Sequence, residues 1–134
     1  MKYVFDPSSI FKAIKENRVE LLSEASTVEL ARYELSNVVW KEQSLYKKLS
    51  IKEAKDLIRV IKMILEKMEI IKIECNEEQI IELSCEKKIS FYDASYVYCA
   101  REKNLVLVTE DDGLRNRVNS IVKVTNLENL VKWQ

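Results

Sequence analysis

Asp6, Glu34, Asp93 and Asp111 lie far apart in the chain, yet each one follows a strand-like run or stands in the opening turns of a helix-like one. Asp6 comes directly after the β-rich run Lys2–Phe5. Glu34 lies early in the helical stretch that follows Ser26–Leu30. Asp93 falls in the first turn of a helix begun by Ser90, and Asp111 sits within Glu110-Asp111-Asp112, just after the apolar run Leu105–Val108. Open α/β sheets build their sites beyond the carboxyl ends of strands, so such a sheet would bring these acids together. Carboxylates a few ångströms apart repel, and a divalent cation removes that penalty. Ligation by oxygen alone points to Mg²⁺ or Mn²⁺ rather than zinc. The chemistry open to such a site is activation of water and in-line cleavage of a phosphodiester.

The plain alternative is that these acids are helix caps. Asp6 before Pro7 suits a cap, Ser90-Phe91-Tyr92-Asp93 and Thr109-Glu110-Asp111-Asp112 both fit capping boxes, and acids are favoured at helix N-termini. Glu34 fits this alternative least. It lies inside a helix among Tyr33, Leu35, Val38 and Val39, with Asn37 and Lys41 on its side, and a half-buried carboxylate needs a partner or a metal.

Composition excludes more than it selects. The chain has no His, which removes Ser-His-Asp and Cys-His catalysis and the common zinc sites. Its one glycine, Gly113, excludes Walker- and Rossmann-type phosphate loops. Lys plus Arg and Asp plus Glu both number 22, so any nucleic acid must be met by a local patch or through metal ions. Cys75, Cys85 and Cys99 form no CxxC pattern and are expected as reduced, mostly buried thiols. The absence of a long apolar run, at the N-terminus or elsewhere, implies a cytoplasmic protein.

The positioning elements read as follows. After Lys2–Phe5, a helix runs from Pro7 to Asn17 and a short one over Arg18–Ala25. Ser26–Leu30 is a strand. A helical stretch from Ala31 places Tyr33, Val38, Leu45 and Leu49 on one apolar side. Ser50 and Glu53 form a capping box for the clearest amphipathic helix, with Ile51, Ala54, Leu57, Ile58, Ile61, Ile64, Leu65 and Met68 at three- and four-residue steps. Then come strand Ile70–Ile73, helices Asn76–Lys87 and Ser90–Lys103, strand Leu105–Val108, helix Asp111–Arg117, strand Ile121–Val124 and a closing turn from Asn126 to Trp133. The alternation predicts one domain over residues 1–134: a central, mostly parallel sheet with helices on both faces.

At this point the residues match a known family. The chain resembles PIN domains, in particular the VapC toxins of toxin–antitoxin pairs, over nearly its whole length. Asp6-Pro7-Ser8 resembles the family's Asp-x-Ser opening, and Glu34-Leu35-Ser36-Asn37 its Glu-x-x-Asn helix. Phe91-Tyr92-Asp93-Ala94 resembles the element carrying the third acid, and Thr109-Glu110-Asp111-Asp112-Gly113-Leu114 the Thr-x-Asp-x-x-Leu element. The resemblance implies a PIN-like three-layer sandwich and a Mg²⁺- or Mn²⁺-dependent endoribonuclease, often dimeric and held inactive by a small antitoxin. It implies a metal site of Asp6, Glu34, Asp93 and Asp111, with Glu110 or Asp112 as substitutes for the last. Ser8, Asn37 and Thr109 would orient the carboxylates or phosphate.

Lys41, Arg101, Arg115 and Arg117 are the candidates for touching RNA. Bases could stack on Phe91, Tyr92, Tyr96 and Tyr98, although aromatics at helical spacing more often belong to a core or a dimer contact. Two other readings stand beside the nuclease. One is an inert PIN-like domain acting in RNA processing or partner binding. The other is a receiver-like domain, which would need paired acids after the first strand, where Asp6 stands alone.

Overall fold

Short apolar runs and amphipathic stretches alternate along the chain, and the computed structural model, which describes residues 2–132, turns them into one parallel sheet between two helical layers. The elements are β1 (Tyr3–Phe5), α1 (Pro7–Lys15), β2 (Ser26–Val28), α2 (Ala31–Trp40), α3 (Ile51–Lys67), β3 (Glu69–Ile71), α4 (Glu77–Lys87), α5 (Phe91–Glu102), β4 (Val106–Val108), α6 (Asp112–Val118), β5 (Val124–Thr125) and α7 (Leu127–Lys132). A 3₁₀ turn, Val19–Leu22, leads into β2, and a π-helical turn, Lys41–Leu45, extends α2. No helix among the described residues is long and apolar enough to cross a membrane.

The strand order is β3-β2-β1-β4-β5, and every pairing is parallel. Strand order therefore reverses between β1 and β4, and the crevice beyond their carboxyl ends is where such sheets bind ligands. Both strands are covered on both faces. Val4 and Leu107 belong to one core with α4, α5 and α6, and Phe5 and Val108 belong to the other with α1, α2, α3 and α7. This two-sided burial explains why neither strand shows polar alternation.

Local chemistry sets the helix starts. Asp6 accepts from Ser9 N at 3.0 Å with Pro7 in the first turn of α1, and Ser50 and Glu53 complete the capping box of α3. Ile61, Leu65 and Met68 anchor α3 and its end, each burial contributing about 1.5–3 kcal/mol.

Several expectations are corrected. The buried stripe of α2 is Ala31, Leu35 and Val39 at four-residue steps, whereas Tyr33 is 77 % and Leu45 55 % exposed. Tyr33 is two residues from both Ala31 and Leu35, more than half a helical turn, so it faces away from them. The last strand begins at Val124 rather than Ile121, because the amides of Ile121 and Val122 both donate to the Val118 carbonyl and close α6. The final helix is seen over Leu127–Lys132, and Trp133 lies outside the described residues. Cys75 and Cys85 are exposed, and only Cys99 is buried.

Candidate active site

The crevice is built outward from Asp6. The carboxylate is only 5 % exposed, sits at the end of β1 and caps α1. Its Oδ1 accepts from Ser8 Oγ at 2.7 Å, Ser9 N at 3.0 Å and Ser9 Oγ at 3.1 Å, and its Oδ2 accepts from Thr109 Oγ1. Ser8 Oγ, Ser9 N and Thr109 Oγ1 thus lock one carboxylate in place from the ends of two strands, with the one Ser9 hydroxyl proton shared between Asp6 and the Val108 carbonyl. The Asp6 amide donates to the Val108 carbonyl at 3.1 Å, tying β1 to β4 at the point where strand order reverses. Burial pushes the Asp6 carboxyl up, opposed by its hydrogen bonds from Thr109, Ser8 and Ser9.

Glu34, in the first turn of α2, is half-buried and accepts from Tyr96 Oη at 2.8 Å. Burial holds its carboxyl above the ordinary range, and the charges of Asp93 and Asp6 push it the same way. Asp93, in the first turn of α5, is raised by burial and then by Asp6 and Asp111, with the Ser90 hydroxyl opposing. Asp93 thus feels Asp6 and Asp111, and Glu34 feels Asp93 and Asp6, which links the four predicted acids through Asp93. Among the described residues, none of the four is paired with a lysine or arginine.

The three-acid run after β4 separates by partner. Glu110 takes Lys12 Nζ at 3.1 Å and the Leu127 amide at 2.8 Å, so it anchors α7. Asp112 is paired with Arg115. Asp111 caps α6 through Oδ1, which accepts from Leu114 N at 3.1 Å, and of the three it is the one whose charge acts on Asp93. A Cβ on Gly113 would stand 3.3 Å from Asp111 Oδ1, so the lone glycine leaves room for this carboxylate. The capping box expected at Thr109 does not form. Its hydroxyl serves Asp6 and accepts the Asp111 amide at 3.2 Å, and the cap passes to Asp111.

The supporting residues divide. Ser8 and Thr109 both donate to the Asp6 carboxylate. Asn37 is exposed and makes no side-chain hydrogen bond among the described residues. Two supporting residues were not foreseen. Ser9, fully buried, bridges Asp6 to the Val108 carbonyl at 2.7 Å, and Tyr96 binds Glu34. The signal for Ser9 was its place three residues after a cap. Tyr96 carried none beyond lying three residues after Asp93 on a helix.

The basic candidates also divide. Lys41 is exposed at the end of α2. Arg115 donates to the Thr109 carbonyl at 2.6 Å, at the rim of the crevice, and Arg117 reaches the Lys88 carbonyl at 3.4 Å. Arg101 is at the opposite end of α5 from Asp93, about 12 Å along the helix, and packs over Tyr98 at 5.7 Å. Tyr96 and Tyr98 are buried, which leaves Tyr92, 57 % exposed, as the open aromatic beside Asp93.

A model of the PIN domain matches residues 2–118. The chain belongs to the PIN domain family. A curated relative, Exonuclease VapC9 of Pyrobaculum aerophilum, is 26 % identical over 129 residues, covering 95 % of this chain and 93 % of its own. The crystal structure of PAE2754 from Pyrobaculum aerophilum superposes with a TM-score of 0.82 at 24 % identity, covering 99 % of this chain and 96 % of that one. VapBC2 from Rickettsia felis, solved bound to a DNA fragment from its promoter, gives a TM-score of 0.67 at 20 % identity over 94 % and 98 % of the two chains. These likenesses match the PIN-like sandwich in fold, and the similarity to VapC proteins extends over almost the whole chain.

The donor set suits a hard divalent cation. It is oxygen only, partly desolvated, and repelled by its own charges. Among the described residues no three acids already stand close enough to hold an ion by themselves. An ion here would keep several of its waters and take only one or two carboxylates directly, as Mg²⁺ commonly does.

Proposed function

We propose that this PIN domain is a Mg²⁺- or Mn²⁺-dependent endoribonuclease and the toxin of a VapBC-type pair, acting in the cytoplasm. The observation that carries the reading is the set of four acids at strand ends and first helical turns, Asp6 locked at the end of β1 and none of the four answered by a basic side chain among the described residues. A structural acid so placed is costly without a partner.

Asp6, Glu34, Asp93 and Asp111 are the residues that would hold the metal. Ser8, Ser9 and Thr109 fix Asp6 so that its charge stands at the end of β1. A bound divalent ion would neutralise the cluster, activate water and stabilise the leaving oxygen of a phosphodiester. Lys41 and Arg117, unpaired with any carboxylate among the described residues, provide positive charge that a neutral chain needs to meet a phosphate backbone, whereas Arg115 is answered by Asp112, and Tyr92 offers a face for a base.

The VapC assignment rests on the similarity to Exonuclease VapC9 and on the fold shared with VapBC proteins. It brings with it a small antitoxin as partner and a homodimer as the working unit. The apolar side chains Trp40, Ile51, Ile58 and Met63, exposed around α3, supply surface for such contacts.

The test is cleavage of a structured RNA pool with Mn²⁺, with EDTA, and with Asp93→Asn, alongside a circular RNA. Cleavage of both substrates, lost in both controls, is expected. Degradation of the linear pool alone would make the enzyme an exonuclease, as the relative's name has it. No cleavage and no Mn²⁺ binding would leave a partner-binding PIN domain.

A further inference from the structure

Glu34 is held by a residue outside the acid cluster. Tyr96 lies one turn beyond Asp93 on α5 and is 1 % exposed. A phenol buried so deeply needs an acceptor for its hydroxyl. The acceptor is a carboxylate on another helix, Glu34 Oε1, at 2.8 Å. The helix that presents Asp93 also aims Glu34, one turn later.

We infer that Tyr96 is a positioning residue whose phenol fixes the Glu34 carboxylate toward Asp6 and Asp93 and so sets the affinity of the site for a divalent cation. The inference rests on the metal-dependent reading above. A glutamate has three rotatable side-chain torsions, and without a hydrogen-bond partner the ion itself must order them. With one oxygen engaged by Tyr96, the carboxylate is already ordered before an ion arrives. Groups that orient metal ligands in this way typically govern affinity as strongly as some ligands do.

Calorimetric titration with Mn²⁺ of the wild type, Tyr96→Phe and Tyr98→Phe tests the assignment. Tyr96→Phe removes one oxygen and keeps the ring, so the core stays filled. Tyr98 is on the same helix and its hydroxyl goes to Asn76 Oδ1 at 3.2 Å, away from the acids, which makes it the control. The expected result is Mn²⁺ affinity about 10–100-fold weaker in Tyr96→Phe, unchanged in Tyr98→Phe, with kcat lowered and KM for RNA unchanged in the former. Equal affinity in Tyr96→Phe and the wild type would overturn the inference and leave the nuclease reading standing. Equal weakening in both variants would also overturn it, as a general effect of the helix. A wild type that binds no Mn²⁺ would overturn the inference and the nuclease reading together.

Discussion

Asp6 and Asp111 each spend one carboxylate oxygen on a helix cap, yet both also belong to the cluster of negative charge at the crevice. For Asp111 capping and ligation are therefore not competing explanations, because only Oδ1 accepts the cap bond among the described residues; Asp6 has both oxygens engaged, Oδ1 by Ser8 and Ser9 and Oδ2 by Thr109, so an ion there would share or displace those bonds. Asp93 differs, since its helix is capped by Ser90 and its own carboxylate feels Asp6 and Asp111. Removing its charge should relieve repulsion in the metal-free protein. Asp93→Asn is expected to keep or raise metal-free stability at neutral pH while lowering cleavage by about 10²-fold or more. Thermal unfolding in EDTA and a cleavage assay in Mn²⁺ read the two effects separately. Lower stability in EDTA would mark Asp93 as a structural acid.

The elements were legible where one kind of signal dominated. The α3 capping box, the Pro7 start of α1 and the unbroken apolar β4 all appear in the structure at or within a residue or two of their expected places. In α2 the large residues Tyr33 and Leu45 suggest one stripe, whereas the small and medium side chains Ala31, Leu35 and Val39 pack the core. Helix ends were harder to see, since only one glycine is present to mark them. Lys88 ends α4 in the left-handed region at φ 57°, a conformation that suits glycine. Lys88→Gly should stabilise the fold by about 0.5–1 kcal/mol, measured by urea unfolding, with Mn²⁺ binding unchanged. Destabilisation would show that the lysine side chain matters more than its backbone angle. The Asp111 cap can be separated from its charge in the same way. Asp111→Asn should retain the cap and Asp111→Ala should lose about 1 kcal/mol, while both weaken Mn²⁺ binding. Two variants that bind Mn²⁺ like the wild type would remove Asp111 from the site.

At the scale of the molecule, strand-end placement made the convergence of the acids readable, because a parallel sheet puts every strand's carboxyl end on one side. Its supports were not readable in the same way. Ser9 and Tyr96 act across elements, and only packing brings them to Asp6 and Glu34. The same convergence gives the metal-free protein a distinctive pH dependence. Asp6, Glu34 and Asp93 all have folded-state values above their unfolded ones, with burial as the first cause. Below about pH 4 both states hold these protons and no penalty exists. As pH rises, the unfolded chain releases them first, the folded state binds more protons, and stability falls until the raised folded values are passed. Other carboxylates, such as the capping Glu53 with its lowered value, contribute the opposite slope. The comparison must therefore be made against Glu34→Gln/Asp93→Asn. In EDTA, the wild type should lose stability relative to this variant as pH rises above about 4. Mn²⁺ should reverse the loss in the wild type alone, because an ion that binds only the folded, ionised site stabilises it by mass action. A wild type that gains on the variant as pH rises in EDTA would mean that these carboxylates already sit in a favourable field, and the case for a cation site would lose its physical basis.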